Sequence, residues 1–289
     1  INPNIIFPIL NENYDENKGI GYIFDLQHEY FPKNFTKQII KQRRRQVENL
    51  SKFNFFLVNS KKTKEDLIKY HKSFTKKIIR VIPFTPNVQK RNFFLKTNFK
   101  DLYNSEKGYF ISCNQFWKHK NHLLLLDAFQ NYIKQNGDQN LILTGDYNNV
   151  RDIDYIKKIQ TKLNNKLLKN RVFYLGNIEK SYQIELLKNS TALVQPSSFE
   201  GGPGAGAVNE AIALNVPIIV SSIDVNKEIK YKKLFFFKNK QQLKKKLFFL
   251  QNKKFKKTSK SKLILNMHKN FKKCNIFFIK SFNDFLNQY

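Results

Sequence analysis

Cysteine is nearly absent: Cys113 and Cys274 are the only two in 289 residues, and neither belongs to a CxxC pair. A disulfide framework is excluded, no zinc site is visible, and a reducing cytoplasm is the compartment expected. No uncharged apolar run reaches the roughly 18 residues of a membrane-spanning helix, so the reading is a soluble or membrane-peripheral protein. The opening Ile1-Asn2-Pro3-Asn4 lacks the charged-then-apolar order of a signal peptide. It also begins without Met, from which a missing amino-terminal piece is expected. Acid is scarce, with 22 Asp+Glu against 52 Lys+Arg, and so is arginine, found only at 43, 44, 45, 80, 91, 151 and 171. Specific base readout favours arginine forks, so no specific nucleic-acid partner is expected from the net charge of +30. The excess of Lys, Asn, Ile and Phe is what an AT-rich coding sequence produces.

What is present excludes a disordered polycation: 41% of residues are apolar and 15% aromatic. At about 150 residues per domain, the length predicts two domains. From about residue 53 to 221, short β-rich runs alternate with helix-period segments, the rhythm of a parallel sheet with crossover helices. Strands are predicted at Phe55–Asn59 and Ile78–Ile82, with Ser60 capping a helix over Lys61–Tyr70. After a polar linker near Gln89–Glu106, strands follow at Tyr109–Cys113, Leu141–Thr144, Val172–Leu175, Ala192–Gln195 and Pro217–Val220. Helices intervene at His122–Lys134, Tyr155–Leu168, Tyr182–Lys188 and Ala207–Leu214. This pattern is a doubly wound α/β domain. Three segments result: 1–88, an incomplete amino-terminal unit; 89–230, the doubly wound domain; and 231–289, a Lys/Phe-rich helical tail. The tail holds 17 Lys against one acid, Asp284. Helices packed on the domain with lysines outward account for it, as does a basic surface lying on anionic lipid.

The chemistry concentrates where the strand Ala192–Gln195 runs into a loop with Gly201, Gly202, Gly204 and Gly206, then a helix. Backbone N–H groups of such a loop can approach an anion, and the helix amino terminus adds partial positive charge. Glu200 at the strand exit and Glu210 in the helix place two carboxylates near one crevice. Carboxylates accept hydrogen bonds from sugar and ribose hydroxyls; tight-turn glycines and surface glutamates are the plainer alternative.

Phe199-Glu200-Gly201-Gly202 with Glu210-Ala211 and Val216-Pro217 resembles the paired-glutamate signature of the retaining glycosyltransferases of the GT-B fold, family 4, or glycosyl transferase group 1. Further similar stretches follow in order from Asp25 to Ile229. They include Val58-Asn59-Ser60, Arg80-Val81-Ile82-Pro83, Asn114-Gln115 through Lys120, Leu143-Thr144-Gly145-Asp146 and Glu228-Ile229. The resemblance implies a GT-B fold with a Rossmann-like donor domain and an acceptor-side domain before it. It also implies a nucleotide diphosphosugar as donor substrate, a glycan or lipid-linked glycan as acceptor, and neither cofactor nor metal. By position, Lys120 matches the lysine on the donor diphosphate, Glu210 the ribose-binding glutamate, and Glu200 the glutamate near the transferred sugar. Gly201 and Gly202 match backbone donors. Asp25-Leu26-Gln27-His28-Glu29-Tyr30 resembles an acceptor-side histidine motif, which would set His28 across the cleft from the sugar. His28 and Glu200 are thus the expected catalytic pair.

Three features depart from the family pattern. Nine residues, not seven, separate Glu200 from Glu210. Asn114-Gln115 stands where Gly-Arg is usual, leaving Lys118 as the substitute for a second phosphate cation. The early strands of the acceptor domain are expected to be missing. The only Asp-x-Asp triplet noted, Asp152-Ile153-Asp154, opens a predicted helix, where capping is a sufficient role. The reading is a retaining hexosyltransferase, cytoplasmic and peripheral on the membrane face. A catalytically incomplete nucleotide-sugar-binding module and a polyanion-binding basic protein stand as alternatives.

Overall fold

The computed structural model describes residues 5–83, 107–147, 152–253 and 279–287, with residues 265, 272 and 276 as single positions. The expected linker at Gln89–Glu106 lies outside the described residues. Ten strands form two parallel sheets among these residues. The first runs in the order β1 (Ile6–Ile9), β2 (Gly19–Ile23), β3 (Phe55–Val58), β4 (Ile78–Val81). The second contains β5 (Tyr109–Cys113), β6 (Asn140–Thr144), β7 (Val172–Tyr174), β8 (Ala192–Gln195), β9 (Ile218–Ser221) and β10 (Leu234–Phe237), in the order β10-β9-β8-β5-β6-β7. All pairings are parallel.

Parallel strands covered on both faces are apolar at successive residues, because side chains alternate between the faces. In the second sheet Phe110, Leu141, Leu143, Val194 and Ile219 pack under the helices His122–Lys134 and Lys240–Gln251. Their neighbours Ile111, Ile142, Leu193, Ile218 and Val220 enter the opposite core, with Ile184, Leu187, Val208 and Ala211 from helices Lys180–Asn189 and Ala205–Ala213. The adjacency of β5 and β8 is the point where strand order reverses. A crevice opens there beyond the strands' carboxyl ends.

The polar caps form as their residue types predict. Ser60 Oγ accepts from Thr63 N–H at 2.9 Å, and Asp152 Oδ1 from Tyr155 N–H at 2.9 Å. The helix expected over Tyr155–Leu168 is instead two, Ile153–Leu163 and Lys166–Lys169. Asn165 accepts from Leu167 N–H and restarts the second, the local competition with helix that asparagine offers.

One expectation is corrected, and two strands are added: β1 and β2 stand ahead of β3, and β2 was hidden by its glycines. A Cβ on Gly21 would stand 2.3 Å from the Phe56 ring, so the sequence gives up β propensity to admit that ring. The tail is not a separate helical segment. Leu234–Phe237 is the sixth strand of the second sheet, in register with β9 from Leu234↔Ile218 to Phe237↔Ser221. Residues 279–286 are helical and return to the first sheet, where Phe285 is fully buried with Ile20, Leu57 and Ile82. Among the described residues no helix is long and apolar enough to cross a membrane.

Phe285, with Phe282 and Leu286 beside it, packs on Ile20, Leu57 and Ile82 on one face of the first sheet. Phe285→Ala is expected to lower stability by about 3–5 kcal/mol, the usual cost of emptying a buried phenylalanine site. Urea denaturation followed by circular dichroism measures it, and an unmoved midpoint would place the ring outside that core.

Candidate active site

The crevice is built from four loops at strand ends. After β5, the 3-10 turn Lys118–Lys120 leads into helix His122–Lys134, and Lys120 is buried. Its Nζ stands 2.6 and 2.9 Å from the two carboxylate oxygens of Glu200, in the loop after β8. Gln195, the polar end of an otherwise apolar strand, donates to Glu200 Oε1 at 2.8 Å and accepts from Asn114 Nδ2 at 2.9 Å. Ser198 N–H donates to the His119 carbonyl at 2.7 Å. Lysine, carboxylate and two amides thus form one chain of charge and hydrogen bonds across the β5–β8 switch.

The glycine loop beside this chain has steric reasons for its composition. A Cβ at Gly201 would stand 2.3 Å from the carbonyl oxygen of Phe24. The Gly201 carbonyl itself accepts from Thr63 Oγ1 at 2.7 Å and Ser60 Oγ at 3.3 Å, on the first unit. Gly204 (φ 75°) and Ala205 (φ 60°) are both left-handed where helix Ala205–Ala213 begins. Alanine holds that conformation at a cost of order 1 kcal/mol or more, a strain that clusters at ligand sites.

Two cavities of about 280 Å³ meet at Ala205 and Gly206. One is lined by Glu200, Gly201 and Gly202 on the donor side and by Phe24, Asp25 and Asn59 on the facing unit. The other is lined by Asn114, Gln115, Lys120, Thr144, Gly145, Lys180 and Gln183 among others. Behind it Glu210 is buried, with Lys180 Nζ at 2.5 Å and Gln183 Nε2 at 3.1 Å. Burial raises its carboxyl above the usual carboxylate range, and Lys180 and Gln183 pull it back only in part. A third cavity, of about 230 Å³, shares Glu200 and is walled by Tyr30, Lys62, Asp66, Phe199 and Ser222.

Of the residues expected from sequence, Asn114, Gln115, Lys120, Glu200, Gly201 and Gly202 come together, and Glu210 lies behind them. Lys118 does not join them: it is mostly exposed, and its Nζ pairs with Asp152 at 3.4 Å. Lys180 supplies the second cation of the cavity instead. His28 lines none of the three cavities. It is buried beside Glu29, and burial pushes its imidazole below the ordinary pKa although Glu29 pulls the other way. From the same motif Asp25 lines the first cavity, and Leu26 and Tyr30 line the third. Sequence reasoning missed Gln195, Lys180 and Gln183. Gln195 carried a signal, a polar residue closing a buried strand, while Lys180 and Gln183 looked like any exposed helix start.

Solved structures share this architecture. Anabaena HepE in complex with UDP superposes with a TM-score of 0.67 at 15% identity, over 94% of this chain and 72% of HepE. S. aureus TarM superposes with a TM-score of 0.66 at 17% identity, over 95% of this chain and 52% of TarM. At such identities the likeness establishes the fold, a GT-B arrangement with a Rossmann-like second domain. By sequence, the Staphylococcus aureus capsular polysaccharide biosynthesis glycosyltransferase CapH is 30% identical over 138 residues. That match spans 48% of this chain and 37% of CapH, well under half of the relative's length. The profile of the glycosyl transferases group 1 matches residues 93–263, which contain Lys120, Glu200, the glycine loop and Glu210. The chain belongs to the glycosyl transferases group 1 family.

Proposed function

We propose that this chain transfers a hexose, with retention, from a nucleotide diphosphosugar to a carbohydrate or lipid-linked carbohydrate acceptor, as a family 4 enzyme. The observation that carries the reading is the Lys120–Glu200 pair set between two cavities, one facing the other unit and one running back toward Glu210. HepE was solved with UDP and with UDP-glucose, and TarM with UDP and alpha-GlcNAc-glycerol, which supports a nucleotide-sugar donor. CapH acts in capsular polysaccharide biosynthesis, which supports a glycan acceptor.

In this reading the diphosphate lies against Lys120 and the loop of Gly201–Gly206, where fixed positive potential meets the charge that develops as the sugar–phosphate bond breaks. Glu200, released from Lys120, accepts from sugar hydroxyls. Glu210 accepts from the ribose hydroxyls once Lys180 swings to phosphate. The acceptor hydroxyl attacks from the leaving-group face, and Asp25 faces that reaction across the cleft. His28 is a positioning residue behind Asp25. The chain needs no cofactor or metal for this chemistry. It works in the cytoplasm, peripheral on an anionic membrane face, with Lys240 and Lys245 exposed on the outer helix beside Phe249. A second reading, nucleotide-sugar binding without transfer, is favoured by one observation: among the described residues, Asp25 is the only titratable side chain that the first unit contributes to the first cavity.

Thermal-shift titration with UDP, GDP and ADP, at moderate salt, tests the donor site. One nucleotide is expected to stabilise selectively, by about 2.7 kcal/mol at a hundred times its Kd, and Glu210→Ala to abolish the effect. Equal weak shifts that vanish with salt would assign the binding to scattered lysines. Lys120→Ala is expected to lower kcat about 10²–10³-fold, and NMR of the first-formed product to show the donor's anomeric configuration. Selective binding without turnover would select the second reading.

Glu210 also gives a pH prediction. A carboxyl whose folded pKa is raised holds its proton more tightly when folded, so its ionisation opposes folding as pH rises from the ordinary glutamate value through the raised one. That penalty is present above the ordinary glutamate pKa and grows until the pH passes the raised value. Glu210→Gln is therefore expected to raise Tm at pH 7 without nucleotide, to lose that gain below the ordinary glutamate pKa, and to lose nucleotide binding. Vesicle sedimentation with anionic lipid, expected to weaken with salt, checks the membrane face.

A further inference from the structure

Within the first unit, apart from the three cavities, lies a closed cluster of unsatisfied nitrogens. One nitrogen each of His28 and His71 and one carboxylate oxygen of Glu29 lie within 4.8 Å of one another. The two histidines are 1% and 3% exposed. Neither ring nitrogen of His28 makes a hydrogen bond, and neither does Nε2 of His71. The nearest approach is His28 Nε2 to Glu29 Oε1 at 3.4 Å. A buried polar group left unpaired costs about 1–3 kcal/mol, so an unpaired nitrogen on each of two neighbouring buried rings calls for a common partner.

The surroundings indicate which kind. Glu48 Oε1 stands 2.6 Å from Nδ1 of His71 and its other oxygen accepts from Ser73 at 2.7 Å. A carboxylate on Nδ1 selects the tautomer that leaves Nε2 with a free lone pair, and it raises the basicity of that nitrogen. This is the outer-sphere arrangement found behind metal-bound histidines. Glu29 is held by the Arg44 fork at 2.7 and 2.6 Å, which orients the carboxylate, and Arg43 is drawn off to Asp25 at 3.7 Å.

We infer that His28, His71 and Glu29 form a site for one divalent transition-metal ion of the zinc type, which locks the wall of the cleft. Two imidazoles and a carboxylate, with water as a fourth ligand, suit zinc, whereas calcium and magnesium select oxygen donors. Ligand atoms on one tetrahedral ion stand about 3.4 Å apart. Closing the cluster from its present span therefore takes about 1.4 Å at most, within the reach of side-chain torsions. The ion would tie helix Gln27–Tyr30 to His71, the residue that ends helix Lys61–Tyr70. Asp25, whose Oδ1 accepts from Gln27 N–H at 3.1 Å, is carried on the segment so fixed. The role is structural and does not depend on the proposed transfer reaction.

The test uses the untagged chain, stripped with a chelator and then titrated with Zn²⁺ against a chromophoric competitor, and separately with Co²⁺. One tight equivalent, a raised Tm and the intense visible bands of tetrahedral cobalt are expected. Glu48→Gln is expected to weaken zinc binding ten- to a hundredfold, and His28→Gln and His71→Gln to abolish it. The cobalt spectrum of the unaltered chain decides the matter even where a variant fails to fold. Absent tetrahedral bands, no tight equivalent, or binding that survives both histidine substitutions would each overturn the site.

Discussion

Lys120 and Glu200 are buried together, and neither is tolerable there alone. Removing one partner of a buried ion pair costs about 3–5 kcal/mol, because the other charge remains out of water. The two loops they belong to are therefore fixed to one another before any ligand arrives, and Gln195 and Asn114 extend the constraint to the strands beneath. An anion that docks on Lys120 replaces one negative group by another. The buried charge balance is kept, and the displaced carboxylate becomes available for neutral hydroxyls. The pair acts as a placeholder for the chemistry it is proposed to perform.

The same loop also ties the two units together. Gly201 presents its carbonyl to Ser60 and Thr63, at the start of helix Lys61–Tyr70. The first N–H groups of that helix, at Lys61 and Lys62, donate to the Glu228 carboxylate from the other unit, each at 2.9 Å. A helix amino terminus attracts negative charge and must satisfy its free donors. Separating the units would hand these donors to water and strip the helix of its counter-charge.

The second domain was legible because its signals are local. Continuous apolar runs at Tyr109–Cys113 and Ala192–Gln195, a glycine loop and two spaced glutamates follow one another along the chain. The crossover rhythm then dictates which ends meet. Lysines were less informative: in a chain with 45 of them, nothing separates Lys180 in the cavity from Lys118 on Asp152. β2 was hidden because its glycines answer to the rings of Phe53 and Phe56, neighbours over thirty residues away. β10 was hidden by the lysines that flank it. The direction of His28 was equally unreadable, since it depends on His71 and Glu48, which only folding brings near.

The buried ring of Phe285 links the fold to the order in which the chain is made. Ile20, Leu57 and Ile82 leave the ribosome early, but the residue that covers them is translated 228 positions after Leu57 (285 minus 57). Until residue 285 is made that contact cannot form, while the second sheet is already being assembled. Vectorial synthesis therefore delays this apolar contact, and its long sequence separation makes it one of the slow steps of folding.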